Sequence, residues 1–161
     1  MPVNYQELAP GKYFEEFEPG QIFNHPITRT VTEMDNLLFS ALSHNMAWLH
    51  LDAEYCKTQP HGQRIVNSLF TLSLVCGVTA IDTTLGTTEG NLGFSDIRFT
   101  NPVFIGDTIH TVTEIISKRE SKSRPQSGIV EFETRGYNQR DEMVVTLRRA
   151  GLMMKKSHLK G

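Results

Sequence analysis

The run from Val66 to about Ala80 is apolar almost all the way round, and each periodic segment after it alternates like a strand. A helix without a polar face must be buried on every side. Asp96-Ile97-Arg98-Phe99, Thr108 to Lys118, Ile129 to Tyr137 and Met143 to Met154 carry strand character. Asn101 to Asp107 supplies turn signals, and Asn138-Gln139-Arg140-Asp141 joins the last two strands as a hairpin. One buried helix followed by antiparallel strands is an α+β pattern. A long antiparallel sheet wrapped around one central helix covers that helix most economically.

The rest of the chain is subordinate to this unit. Met1 to Gly20 reads as an extended arm, with Phe14, Phe17 and Phe23 available to pack on the domain. Ile27 to Val31 is a short strand. Thr32-Glu33-Met34-Asp35 is a helix start, and Asp35 to Leu42 has apolar residues at helical spacing. Asp35 is therefore expected in a first helical turn. Pro60-His61-Gly62 breaks the chain before the apolar helix, and Asp82 to Gly93, rich in Thr and Gly, reads as a long connection.

Length and charge exclude several classes. The 161 residues suit one domain, 1–161, with a sizeable core. A net charge of −2 lacks the basic excess of a nucleic-acid binder. The run from Leu69 to Ala80 contains Thr, Ser and Gly and is too short to span a bilayer. Met1 to Tyr13 has no apolar signal core. Cys56 and Cys76 form no metal-type spacing, and two thiols suit a reducing compartment. The expectation is a soluble cytoplasmic protein with no metal and no cofactor.

Chemistry concentrates around the start of the apolar helix. His50 is an imidazole able to take and return a proton near neutral pH, with Asn45 five positions before it. Asp52 either orients His50 or caps the following turn. Asn67 and Ser68 open the helix, where main-chain N–H groups lack internal partners and the dipole favours negative charge. Asn67 reads equally as an N-cap. Lys118 to Pro125 is cation-rich between two strands, either a solvated loop or a phosphate contact.

Four segments together resemble a known family: Phe17-Glu18-Pro19-Gly20, Thr30-Val31-Thr32-Glu33-Met34-Asp35, Leu49-His50-Leu51-Asp52-Ala53-Glu54-Tyr55 and Asn101-Pro102-Val103-Phe104-Ile105-Gly106-Asp107-Thr108. They are similar to the MaoC-type dehydratases, (R)-specific enoyl-CoA hydratases of the hot-dog fold, over about residues 13–155. Asn67-Ser68-Leu69-Phe70-Thr71-Leu72, Asp82-Thr83-Thr84-Leu85-Gly86-Thr87 and Arg119 to Pro125 resemble the mesaconyl-CoA hydratase (methylmalyl-CoA dehydratase) branch. One departure stands out. Where that family's motif has its catalytic Asp, this chain has Asn45; the histidine, His50, is kept.

The resemblance implies a hydro-lyase that adds water reversibly to an enoyl-CoA, with mesaconyl-CoA or a related short branched acyl-CoA as substrate. His50 would transfer protons, Asn45 would orient the water, and the Asn67 and Ser68 amides would hold the enolate oxygen. Lys122, Ser123 and Arg124 would contact the CoA phosphates. Arg29, Arg64 and Arg98 are the candidates for a substrate carboxylate, Arg64 foremost. A homodimer or higher homo-oligomer is implied. Two alternatives stand beside it. An acyl-CoA thioesterase of this fold would place a carboxylate near the helix, and none lies between Arg64 and Ile81. A CoA-ester-binding protein that has lost its Asp would bind without turnover.

Overall fold

The computed structural model describes residues 5–158. The chain forms α1 (Tyr5–Leu8), a 3-10 turn at Phe14–Glu16, β1 (Ile22–Asn24), β2 (Arg29–Thr30), α2 (Glu33–Leu42), α3 (Trp48–Leu51) and α4 (Ala53–Lys57). It continues through α5 (Ser68–Val78), α6 (Ala80–Thr83), β3 (Thr88–Phe99), β4 (Thr108–Glu120), β5 (Ser127–Tyr137), β6 (Met143–Met154) and a last 3-10 turn at Lys156–His158. The first four residues of the expected arm, Met1 to Asn4, and the last three of the chain lie outside the described residues.

The strands make one antiparallel sheet in the order β1-β4-β5-β6-β3, and β2 pairs with β4 beside β1. Its inner face holds Val130, Phe132, Val145, Leu147 and Met153, all fully buried. Helix α5 packs there through Val75, grouped with Val31, Val66, Val103, Ile109, Val144, Val145 and Leu147. The approach is close. A Cβ built on Gly136 of β5 would sit 2.5 Å from the Val75 side chain, so glycine makes room for the helix. Phe14 and Phe17 of the arm close the other end of the core with Ile115, Val130, Phe132 and Met153.

Two expectations change. Asp82 to Gly93 is not a free connection: it supplies the end of α6 and the first half of β3. The ladder with β6 slips between Thr88 and Gly90, between Asn91 and Gly93, and between Ser95 and Arg98. Such bulges, with two glycines among them, break the alternation that marks a strand. Helix α2 begins as read, with Thr32 and Asp35 in a reciprocal capping box, but its faces are reversed. Asn36 and Ser40 are fully buried, while Met34, Leu37, Leu38 and Leu42 are exposed. Periodicity alone puts the apolar side inward; here the polar side finds hydrogen-bonding partners inside.

Strand β3 is the sheet's other edge. Among the described residues it pairs with β6 alone, and Leu92, Phe94, Ile97 and Phe99 are 39–55% exposed. Phe94 and Phe99 stand opposite Arg149 and Val145 of β6, on the face that carries α5. Leu69 and Ile81 are exposed on the helical side as well.

Candidate active site

The site grows from the polar side of α2. Asn36 Nδ2 donates to the His50 carbonyl at 2.9 Å, and Asn36 Oδ1 accepts from the Asn67 amide at 2.9 Å. Asn67 Nδ2 donates to Ser40 Oγ at 3.3 Å, and Asn67 Oδ1 accepts from the Leu69 amide at 3.0 Å, capping α5. Four buried polar residues thus tie α2, the histidine segment and the central helix into one unit. Buried amides of this kind are retained only when their donors and acceptors are matched.

His50 lies in α3 with its side chain turned inward, and 8% of the residue is exposed. Its Nδ1 is 3.0 Å from the Ile65 carbonyl oxygen. That oxygen can only accept, so Nδ1 carries the proton and the neutral ring presents Nε2 as its basic atom. No side chain or main-chain group among the described residues takes Nε2.

At the start of α5 is a cavity of about 260 Å³, lined by His61, Ile65, Val66, Ser68, Thr71, Phe99, Thr100, Asn101, Pro102, Val103 and Val144. The Ser68 amide has no acceptor among the described residues. The Asn67 amide, expected as a second donor, is taken by Asn36, so that role is not available to it in this arrangement. His50 is not itself a lining residue; it joins the wall through Ile65.

The other sequence candidates are placed as follows. Asn45 Oδ1 accepts from the Ala47 amide at 3.3 Å, a local turn that leads into α3, with no hydrogen bond to His50. Asp52 caps α4 by accepting from the Tyr55 amide. Asp35 is half-buried. Burial would raise its pKa, but the Thr32 hydroxyl and amide and the Arg29 guanidinium outweigh that and lower it. Arg64 pairs with Glu33 at 2.7 Å and Arg29 with Asp35 at 2.6 Å. Arg98 lines a separate hollow with Glu133, Arg135 and Arg148. None of these three arginines lines the cavity beside Ser68. Lys122, Ser123 and Arg124 are exposed in the β4–β5 turn, where Arg124 pairs with Glu89 of β3 at 2.7 Å.

His61 was missed as a site residue. It is the titratable group among those lining the cavity, and its ring meets Phe104 edge-on at 6.0 Å. Its only signal in the sequence is a position in the loop that feeds the helix's first turn.

A half-buried cation lies at the far end of α5. Arg149 donates to Thr79 Oγ1 at 3.0 Å, and its guanidinium lies 4.7 Å from the centre of the Phe132 ring. Burial lowers its pKa. Its position beside the helix's last turn sets its charge against the negative end of the dipole.

Comparison with known proteins agrees with this frame. Residues 15–137 match the family described as MaoC like domain. A β-methylmalyl-CoA dehydratase of Chloroflexus aurantiacus is 32% identical over 84% of this chain and 38% of its own length. A mesaconyl-CoA hydratase of Cereibacter sphaeroides is 32% identical over 84% of this chain and 39% of its own. The chain therefore spans well under half the length of these two relatives. Among solved structures, the R-hydratase PhaJ1 of Pseudomonas aeruginosa superposes with a TM-score of 0.74 at 29% identity, over 89% of this chain and 86% of that one. A Mycobacterium tuberculosis protein with a double hot-dog fold gives a TM-score of 0.82 at 20% identity, over 94% of this chain and 47% of that one. The sheet and central helix are a hot-dog fold, and the chain belongs to the MaoC-like domain family.

Proposed function

We propose that the protein is a hydro-lyase that adds water reversibly to an enoyl-CoA thioester. The observation that carries this reading is the unpartnered amide of Ser68, a residue that lines a cavity, with His50 hydrogen-bonded through Nδ1–H to the carbonyl of Ile65, another lining residue. Nε2 of His50 takes a proton from water as the hydroxyl oxygen bonds to the β-carbon. The electron pair of the double bond moves toward the thioester, and the oxygen gathers enolate charge beside the Ser68 N–H and the positive end of α5. The imidazolium then returns its proton to the α-carbon. The names of the two curated relatives favour mesaconyl-CoA as the acyl class.

A second copy of the chain completes the assembly by pairing along β3. The strand's unpaired edge, its exposed Leu92, Phe94, Ile97 and Phe99, and the greater length of the relatives all support this.

The site of Asn45 favours a second reading, ligand binding without turnover, because an amide stands where the family's motif has its carboxylate and its oxygen makes a local turn with the Ala47 amide, with no hydrogen bond to His50. The experiment that separates the two is the enoyl-thioester absorbance with mesaconyl-CoA and crotonyl-CoA. Wild type consumes the band and His50→Ala does not, if the hydratase reading holds. Binding of both esters with no loss of the band in wild type leaves only the second.

A further inference from the structure

Thr71 carries a buried hydroxyl that the fold itself does not use. The residue is 3% exposed and lines the cavity beside Ser68. Its amide bonds to the Asn67 carbonyl within α5. Its side-chain oxygen has no hydrogen-bond partner among the described residues. A helical hydroxyl commonly turns back on the preceding turn. Further along, Ser73 Oγ does so to the Leu69 carbonyl and Thr79 Oγ1 to the Cys76 carbonyl, both at 2.8 Å. Thr87 and Thr111 also lack partners, but their oxygens are sealed from solvent. The Thr71 oxygen is not sealed, so the little exposure this residue keeps reaches it. An unpaired buried hydroxyl costs stability, and one that opens on a cavity points to a ligand there.

Its place on the helix aims it at the Ser68 amide. Residues three apart share a face, with Cβ atoms about 5–6 Å apart. The Cα–Cβ bond of a helical residue tilts toward the N-terminus, so Thr71 covers the turn that begins at Ser68. Val75, four residues on, continues this face against Gly136 of the sheet. The face therefore looks into the gap between α5 and the sheet, where Val103 and Val144 complete the cavity wall. Two other polar side chains of that wall are engaged, because Thr100 Oγ1 and Asn101 Nδ2 both donate to the Met143 carbonyl. A ligand oxygen beside the Ser68 N–H thus meets an unspent hydroxyl.

We propose that Thr71 is a catalytic residue whose hydroxyl, together with the Ser68 amide, holds the thioester oxygen of the substrate. It takes the part for which the Asn67 amide, bound to Asn36, is not free. The proposal rests on the hydratase reading above. As the water oxygen bonds to the β-carbon, charge collects on the thioester oxygen and the hydrogen bond from Thr71 tightens. The proton stays on Oγ1, and the transfers remain with His50. A donor already fixed on the helix needs no reorganisation as that charge forms.

The test is Thr71→Val, which removes the hydroxyl and keeps the side chain's shape. Its kcat for crotonyl-CoA is expected to fall about 10²-fold with little change in KM, since the bond matters most in the transition state. Thr71→Ser, which keeps the oxygen, is expected to recover most of that loss. Because no described protein group uses the hydroxyl, Thr71→Val should have a urea midpoint no lower than wild type. An unchanged kcat in Thr71→Val overturns the proposal. A lowered urea midpoint overturns it too, because it assigns the hydroxyl to the fold. The contact is also read without turnover. An enoyl thioester whose carbonyl accepts strong hydrogen bonds absorbs at longer wavelength. Bound crotonyl-CoA is therefore expected to be red-shifted in His50→Ala and less so in His50→Ala/Thr71→Val. Equal shifts, or none, overturn the proposal. If wild type turns over neither crotonyl-CoA nor mesaconyl-CoA, the hydratase reading fails separately, and these spectra still decide whether Thr71 holds the thioester oxygen.

Discussion

Asn36 joins His50 to the start of the central helix. Its amide nitrogen donates to the His50 carbonyl and its oxygen accepts the Asn67 amide, both at 2.9 Å and with no part of Asn36 exposed. Asn36→Ala leaves both main-chain groups buried without partners. The expected loss is about 1–3 kcal/mol for an unsatisfied buried group, read as a lower urea midpoint with an unchanged slope. Unaltered stability would mean that the network does not hold the site together.

His50 is expected to carry the proton transfers through Nε2. His50→Ala should lower kcat by about 10²–10⁴-fold, the usual contribution of a general acid–base, with an unchanged circular dichroism spectrum. Full turnover in this variant would remove His50 from the mechanism.

His61 lines the cavity, and His50 reaches its wall only through Ile65. His61→Phe is expected to raise KM for mesaconyl-CoA while kcat stays near wild type, the signature of a group that binds rather than reacts. A collapse of kcat matching that of His50→Ala would reassign the proton transfer to His61.

Phe94 is 48% exposed on the helix-bearing face of the free edge strand. Phe94→Lys puts a charge where a second β3 is expected, and sedimentation velocity should show a monomer with reduced turnover. Sedimentation identical to wild type would move the interface away from β3.

Glu133 links Arg135 and Arg148 on the outer face of the sheet. Hydrogen bonding from Arg135 comes first among the influences that lower its pKa, with burial opposing it. A lowered folded-state pKa means that its stabilisation is fully present above the unfolded value, about 4.3, and is lost as pH falls through the folded one. Thermal scans from pH 6 to pH 3 should therefore show a shallower acid decline for Glu133→Gln. The difference should be below about 1 kcal/mol, since the pair is partly exposed. Identical acid limbs would show that the pair adds nothing.

Much of this was legible in the chain. The apolar run did become the central helix, but it is not buried on every side: Thr71, Val75 and Val78 face the core while Leu69, Ser73 and Gly77 are exposed. Thr32 and Asp35, and Asp52 with Tyr55, made the local caps their spacing implied, since such bonds close within three residues. Strands β4, β5 and β6 alternate and lie where the pattern put them. Strand β3 was obscured because its bulges and glycines disrupt the period of two.

What the sequence determined alone, then, is whatever depends on neighbours along the chain: helix caps, strand periods and the apolar helix. The tertiary structure decided which polar groups meet. Asn36 faces inward against periodicity because Asn67, 31 residues away, offers it an amide there. The Asn67 amide is occupied and the Ser68 amide is not, and Arg64 turns to Glu33 rather than to the cavity. Each of these is a choice between partners distant in sequence, and a buried polar group takes the partner that packing brings within 3 Å.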